Sequence, residues 1–141
     1  MDFSGLDLSV LDFSGLTFAS SNLCDTRLIK TKFVMTFLSK CNFQGANLTE
    51  ADLTTANLKD ADLSRATLEN TTLSKANLSG ARCIKASMTF ASLVGCDLTR
   101  ANLTSASVHG ADLTKANLTS ATTSETNFKN AKFIGTIGYK P

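Results

Sequence analysis

Residues 46–66 read ANLTEADLTTANLKDADLSRA. Alanine recurs at Ala46, Ala51, Ala56, Ala61 and Ala66, and leucine two places later at Leu48, Leu53, Leu58 and Leu63. A period of five fits neither ordinary element. On an α-helix a step of five turns through about 140°, so the leucines would spiral around every side. On a straight strand the side-chain period is two, so successive leucines would face opposite ways. The chain must therefore bend once per repeat. Three residues read small inward, polar outward and large inward, which is a short strand, and the other two carry the turn.

The same register extends in both directions. With the large apolar residue as the centre, centres fall at every fifth position from Phe3 to Phe133, giving 27 repeats without an insertion. Leu or Phe fills 23 of the 27 centres; the others are Cys83, Met88, Val108 and Thr123. Ala stands two places before the centre in 15 repeats, Asp or Asn just before it in 15, and Ser or Thr just after it in 15. Seven of the eight glycines occupy the last place, where glycine supplies a positive φ at little steric cost. Asn and Asp can also hydrogen-bond nearby backbone. If each turn is near a right angle, four repeats close a square of 20 residues, and squares stack about 4.8 Å apart by strand pairing.

The A(D/N)LXX pattern resembles the pentapeptide repeat proteins over residues 1–135. The resemblance implies an all-β fold: a right-handed quadrilateral parallel β-helix with four pentapeptides per coil and about seven coils, a rod roughly 32 Å long at that spacing. Residues 1–135 form the repeat domain and 136–141, beginning TIGYK, a short tail or cap in which Ile137 and Tyr139 fold over the last coil. At the other end Leu6, Leu11 and Leu16 replace alanine, as a first coil with nothing beneath it allows. They either close that end themselves or support end-to-end association of two chains into a homodimer, because open solenoid ends expose core and strand edge.

Length and composition set further bounds. One domain is expected from 141 residues, and 43% hydrophobic content supplies a core. The net charge of +2 is too small to point to nucleic acid. There is no apolar run long enough to span a membrane. The start, MDFSGLDLSV, carries acids where a leader carries bases, so the expected location is the cytoplasm, or a host cytosol if the chain is an effector fragment. Cys24, Cys41, Cys83 and Cys96 fall on places that do not oppose one another, so they read as structural thiols of a reducing compartment. His109 stands alone and reads as an ordinary surface residue.

No enzyme signature is present. The glycines obey the five-residue rule rather than phosphate-loop spacing, and there is no CxxC pair. Ser and Thr sit in a turn column with no paired base. Asp52, Asp62, Asp97 and Asp112 all stand just before centres, which suits a role in the turn or surface better than acid–base chemistry. The expectation is therefore a non-enzymatic scaffold with no catalytic residues, metal or cofactor.

The departure from monotony is RLIKTKFVMTFLSK, residues 27–40. Ile29, Val34, Met35 and Phe37 take outer places that are elsewhere mostly polar, together with Arg27, Lys30, Lys32 and Lys40. Charge runs −4 over residues 1–26 and +4 over 27–40. An apolar patch rimmed by bases is the candidate contact for a protein partner. The resemblance implies one alternative: a DNA-mimic binder of DNA gyrase of the kind that confers quinolone resistance. Net positive charge and the lack of projecting loops disfavour it, since mimicry of a duplex needs a long negative surface.

Overall fold

The computed structural model describes residues 1–139; Lys140 and Pro141, the end of the expected tail, lie outside the described residues. The chain is the expected right-handed quadrilateral β-helix. Each repeat contributes one bridge residue and a two-residue turn, in unbroken succession. Every bridge is parallel and joins residues twenty apart, from Asp2↔Asn22 to Asn117↔Ile137. Coil 1 is then residues 1–20, coil 2 residues 21–40, and so on. Sides 1 to 4 carry the bridge residues 22, 27, 32 and 37 in coil 2. The ladder reaches Ile137, two residues past the last full repeat, so Ile137 belongs to side 4 and not to a cap.

Three backbone hydrogen bonds recur. The centre N–H donates to the coil above, as Leu23 N to Asn42 O at 2.7 Å. The bridge residue donates to the coil below, as Asn42 N to Ser21 O at 3.0 Å. The residue opening the next repeat donates across the turn, as Ala46 N to Phe43 O at 3.0 Å. A positive φ at the turn's last residue makes this closure. All 27 turns adopt it: seven at glycine and twenty at other residues, including the β-branched Val10 (φ 59) and Thr55 (φ 57). Glycine is therefore not required at that place. The ladder on either side imposes the conformation, at a cost of roughly 1–2 kcal/mol for each side-chain-bearing residue.

Inward residues stack into columns. Every centre from Phe18 to Leu118 and every small place from Ser21 to Ala116 is buried. Alanine in the small column lets the four walls approach while leucine fills the middle, and each buried leucine contributes about 2–3 kcal/mol of burial. Phenylalanine fills the lower coils. Phe18 meets Phe3 and Phe13 edge-on at centroid distances of 5.6 and 5.2 Å, and Phe13 stacks on Phe33 at 5.6 Å. At the upper end Tyr139 lies parallel to Phe133 at 4.3 Å and against Phe128 at 4.8 Å, covering part of the last coil.

Candidate interaction surface

The outer side chains divide into two kinds. All fifteen Asp and Asn residues just before centres accept a hydrogen bond from the N–H two residues on, at 2.9–3.2 Å. The expected turn role of Asp52, Asp62, Asp97 and Asp112 is this bond, made to Thr54, Ser64, Thr99 and Thr114. Hydrogen bonds from Ser4, Ser9, Ser14 and Thr114 hold the carboxyls of Asp2, Asp7, Asp12 and Asp112 below the usual carboxylate range. At Asp62 burial pushes the other way, but bonds from Ser64 and Gln44 outweigh it and the net shift is downward.

Coil 2 breaks this rule on three sides. Arg27, Lys32 and Phe37 stand where the Asx residue would be. Its small column carries Thr26, Thr31 and Thr36, all buried. Thr31 Oγ1 donates to Leu8 O at 2.9 Å and Thr36 Oγ1 to Phe13 O at 3.0 Å, in the coil below. Thr26 Oγ1 donates to Leu23 O at 2.5 Å. Reading from the sequence had only "small" for this column; the donor role depends on which carbonyl lies beneath.

The candidate patch is only partly one surface. Val34, Met35 and Phe37 share the corner between sides 3 and 4 and side 4 itself, whereas Ile29 lies a full side away. Met35 is 62% and Phe37 52% exposed, while Val34 and Ile29 are half-buried. Arg27, Lys30, Lys32 and Lys40 are all exposed. They do not form an unopposed basic rim. Arg27 faces Asp7 at 3.7 Å and Lys30 faces Glu50 at 3.4 Å. Lys32 sits in its ladder between Asp12 and Asp52. The acidic run 1–26 and the basic run 27–40 are one coil apart, so much of their charge is opposed in space. Such exposed pairs contribute little stability, but they remove the bipolar field that the linear reading implied.

At the lower end Leu6, Leu11 and Leu16 are 48%, 45% and 51% exposed, and Phe3, Leu8 and Phe13 are only partly buried. The leucines therefore leave the first coil open. The four cysteines are free. Burial pushes the Cys83 thiol up to about 12 and also raises those of Cys96 and Cys41. Cys24 is the half-exposed one. Among the described residues no three His, Cys, Asp or Glu side chains come together as a metal set, and no helix is long and apolar enough to cross a membrane. Two residues that looked isolated along the sequence meet. Phe90 lies against Gly110 and packs edge-on to the His109 ring at 5.4 Å. Adding twenty to 90 would have found the pair.

Comparison with known proteins agrees with this geometry. The family described as Pentapeptide repeats matches in eight copies, over residues 7–45, 21–60, 41–80, 81–119 and 111–137. The solved structure of trypsin-treated QnrB1 R167E, a plasmid-mediated fluoroquinolone resistance protein, superposes with a TM-score of 0.92 at 22% identity, covering 99% of this chain and 70% of that one. A pentapeptide repeat protein of the Arabidopsis thaliana thylakoid lumen, AT2G44920, is 33% identical over 80% of this chain and 68% of its own, with a TM-score of 0.55. HetL, involved in heterocyst differentiation regulation in the cyanobacterium Nostoc sp. strain PCC 7120, is 22% identical with a TM-score of 0.51, covering 97% of this chain and 86% of that one. No curated protein sequence matches the chain. Register, columns and these likenesses agree: the chain belongs to the pentapeptide repeat family.

Proposed function

We propose that this chain is a rigid, non-enzymatic scaffold that presents the outer face of coil 2 to a protein partner. The observation that carries the reading is the pairing of Met35 and Phe37, each more than half exposed, on a coil whose backbone is bonded above and below. A fixed backbone lets exposed apolar side chains engage a partner with little ordering cost. The filled interior supports the non-enzymatic part, since catalytic pockets are concave and this core is packed with Leu, Ala and Phe. The test is capture from host lysate by the intact chain and by a Met35→Lys/Phe37→Glu variant of equal stability. A protein held only by the intact chain is expected; identical sets from both would sink the assignment.

The open first coil supports a second contact, end-to-end pairing of two chains through Leu6, Leu11 and Leu16. Sedimentation velocity should show a dimer that Leu11→Asp dissociates, and a monomer at every concentration would remove it. The gyrase-mimic alternative asks for a continuous acidic surface. Here acids face bases in adjacent coils, as Asp7 with Arg27, Asp62 with Arg82 and Asp112 with Lys132, which favours the scaffold reading. Gyrase supercoiling is expected to be unchanged at micromolar chain, and inhibition would replace the scaffold reading.

A further inference from the structure

We propose that the upper end of the rod is a docking surface for the first coil of a second copy of this chain, held shut by Tyr139. Elsewhere each centre N–H donates to the bridge carbonyl of the coil above, as Leu103 N to Thr122 O at 2.8 Å. Thr123, Phe128 and Phe133 make no such bond among the described residues. The lower edge of coil 1 offers what they lack, since the carbonyls of Asp2, Asp7 and Asp12 accept no backbone bond there. The reverse bonds match too. Bridge N–H groups donate downward, as Asn127 N to Ala106 O at 2.9 Å. Those of coil 1 have no backbone acceptor among the described residues, and the carbonyls of Ala121, Thr126 and Ala131 have no backbone donor. A second copy set on top in the same twenty-residue register would pair both edges, as an added strand does at a sheet edge.

Charge fits the same register. Lys132 would lie under Asp12 of the second copy, as Lys32 lies under Asp52 within the chain. Thr122 and Asn127 would lie under its Asp2 and Asp7, and no two like charges would meet in the ladder. The contact differs from the pairing through Leu6, Leu11 and Leu16, which closes at two copies. A head-to-tail contact of this kind repeats without closing.

Tyr139 stands in the way. Gly138 falls where the side-4 column of Leu78, Leu98 and Leu118 would continue. Its φ is +75°, and a Cβ there would collide with the backbone of Leu118 and Thr119. Only glycine lets the chain bend inward at this point. Tyr139 then lies parallel to Phe133 at 4.3 Å and against Phe128 at 4.8 Å. That is the layer in which Leu8 and Phe13 of the second copy would sit, as Phe33 sits on Phe13 at 5.6 Å. The tyrosine ring and a further coil cannot both occupy it.

The experiment is sedimentation velocity of the full chain beside Tyr139→Ala and Tyr139→Phe variants, from low to high micromolar concentration. Tyr139→Ala should form species larger than a dimer that grow with concentration. Tyr139→Phe keeps the ring and should sediment as the intact chain does. Adding Lys132→Glu to Tyr139→Ala should weaken association about threefold or more, because it sets like charges opposite each other. Register is read with Asp12→Cys/Lys132→Cys, oxidised by glutathione disulfide and followed by peptide mapping. Ladder partners about 4.8 Å apart suit a disulfide. An intermolecular link between positions 12 and 132 is therefore expected with Tyr139→Ala and not with Tyr139 in place. A frayed end would associate without register, linking position 132 to Cys24 or to another 132 as readily as to 12. That result overturns the proposal. So does a Tyr139→Ala chain no larger than the intact one, or a 12-to-132 link in the chain that keeps Tyr139.

Discussion

Coils 2 and 3 have the same backbone and hold it by different means. In coil 3 all four bridge places are Asx (Asn42, Asn47, Asp52 and Asn57), and each accepts from the turn beyond it. In coil 2 only Asn22 does so, from Cys24 N at 3.2 Å. Coil 2 is tied to coil 1 by other bonds: outside, Ile29 N donates to Ser9 Oγ at 3.2 Å, and inside, Thr31 and Thr36 donate to carbonyls of coil 1. Without the Asx bond the exterior at 27, 32 and 37 is open to other side chains, as it is at Arg82, Ser87 and Ser92 of coil 5, where the small column is alanine. That freedom is what lets bases and an exposed phenylalanine occupy places that the rest of the chain gives largely to polar side chains. The surface of this fold can thus vary while the ladder and core remain constant.

The largest expected effect tests the constant part. Leu28→Ala and Leu48→Ala lie in one centre column of coils 2 and 3, and both side chains are fully buried. Each should cost about 3 kcal/mol in urea unfolding. A markedly smaller loss at Leu28 would mean that coil 2 is the looser of the two, contrary to the comparison. The exchange of bonds comes next. Thr31→Val and Asn47→Ala should each cost about 1 kcal/mol, since each removes one hydrogen bond to a backbone group, Asn47 losing in addition a bond from the hydroxyl of Thr49. Phe37→Ala should change stability by less than about 0.5 kcal/mol, as for an exposed residue without such a feature. Equal losses at Asn47 and Phe37 would break the distinction between supporting and free exterior places.

The corners give a gain instead. Thr55 is β-branched at φ 57, and replacement by Asn, which tolerates that region, should stabilise by about 0.5–1 kcal/mol. The smallest effect concerns acid. Coil 1 uses Asp2, Asp7 and Asp12 where coil 3 uses mainly Asn, and their folded-state pKa values are lowered. Their contribution is therefore complete above the unfolded carboxylate value, near pH 4, and is lost as pH falls through the lower folded values. Intact chain should lose more melting temperature from about pH 4 to pH 2 than an Asp2→Asn/Asp7→Asn/Asp12→Asn variant. Parallel acid limbs would remove the role assigned to these carboxylates.

The fold was legible because five columns agree on one register, and five admits no helix or flat strand. The Asx role was legible for the same reason, since Asp52 and Asn57 recur beside their turns. The turn conformation at Val10 or Thr55 was not, because those residues disfavour it locally and the ladder alone compels it. Charge was misread when taken along the chain: Arg27 belongs with Asp7, and Lys30 with Glu50, one coil away. In a solenoid the informative neighbour is twenty residues distant, and runs of like residues mislead.

The most direct test of the exchange between inner and outer support is equilibrium unfolding of an Arg27→Asn/Lys32→Asn/Phe37→Asn variant, which restores the Asx residue on three sides of coil 2 while keeping its threonines. The expected result is a gain of about 1–3 kcal/mol with an unchanged denaturant slope, because the Val34 and Ser39 N–H groups acquire acceptors, Ile29 N, which donates to Ser9 Oγ at 3.2 Å, gains a nearer one, and nothing buried is lost. A loss of stability would contradict it, showing that the bases and phenylalanine of coil 2 hold the fold and do not simply occupy freed surface.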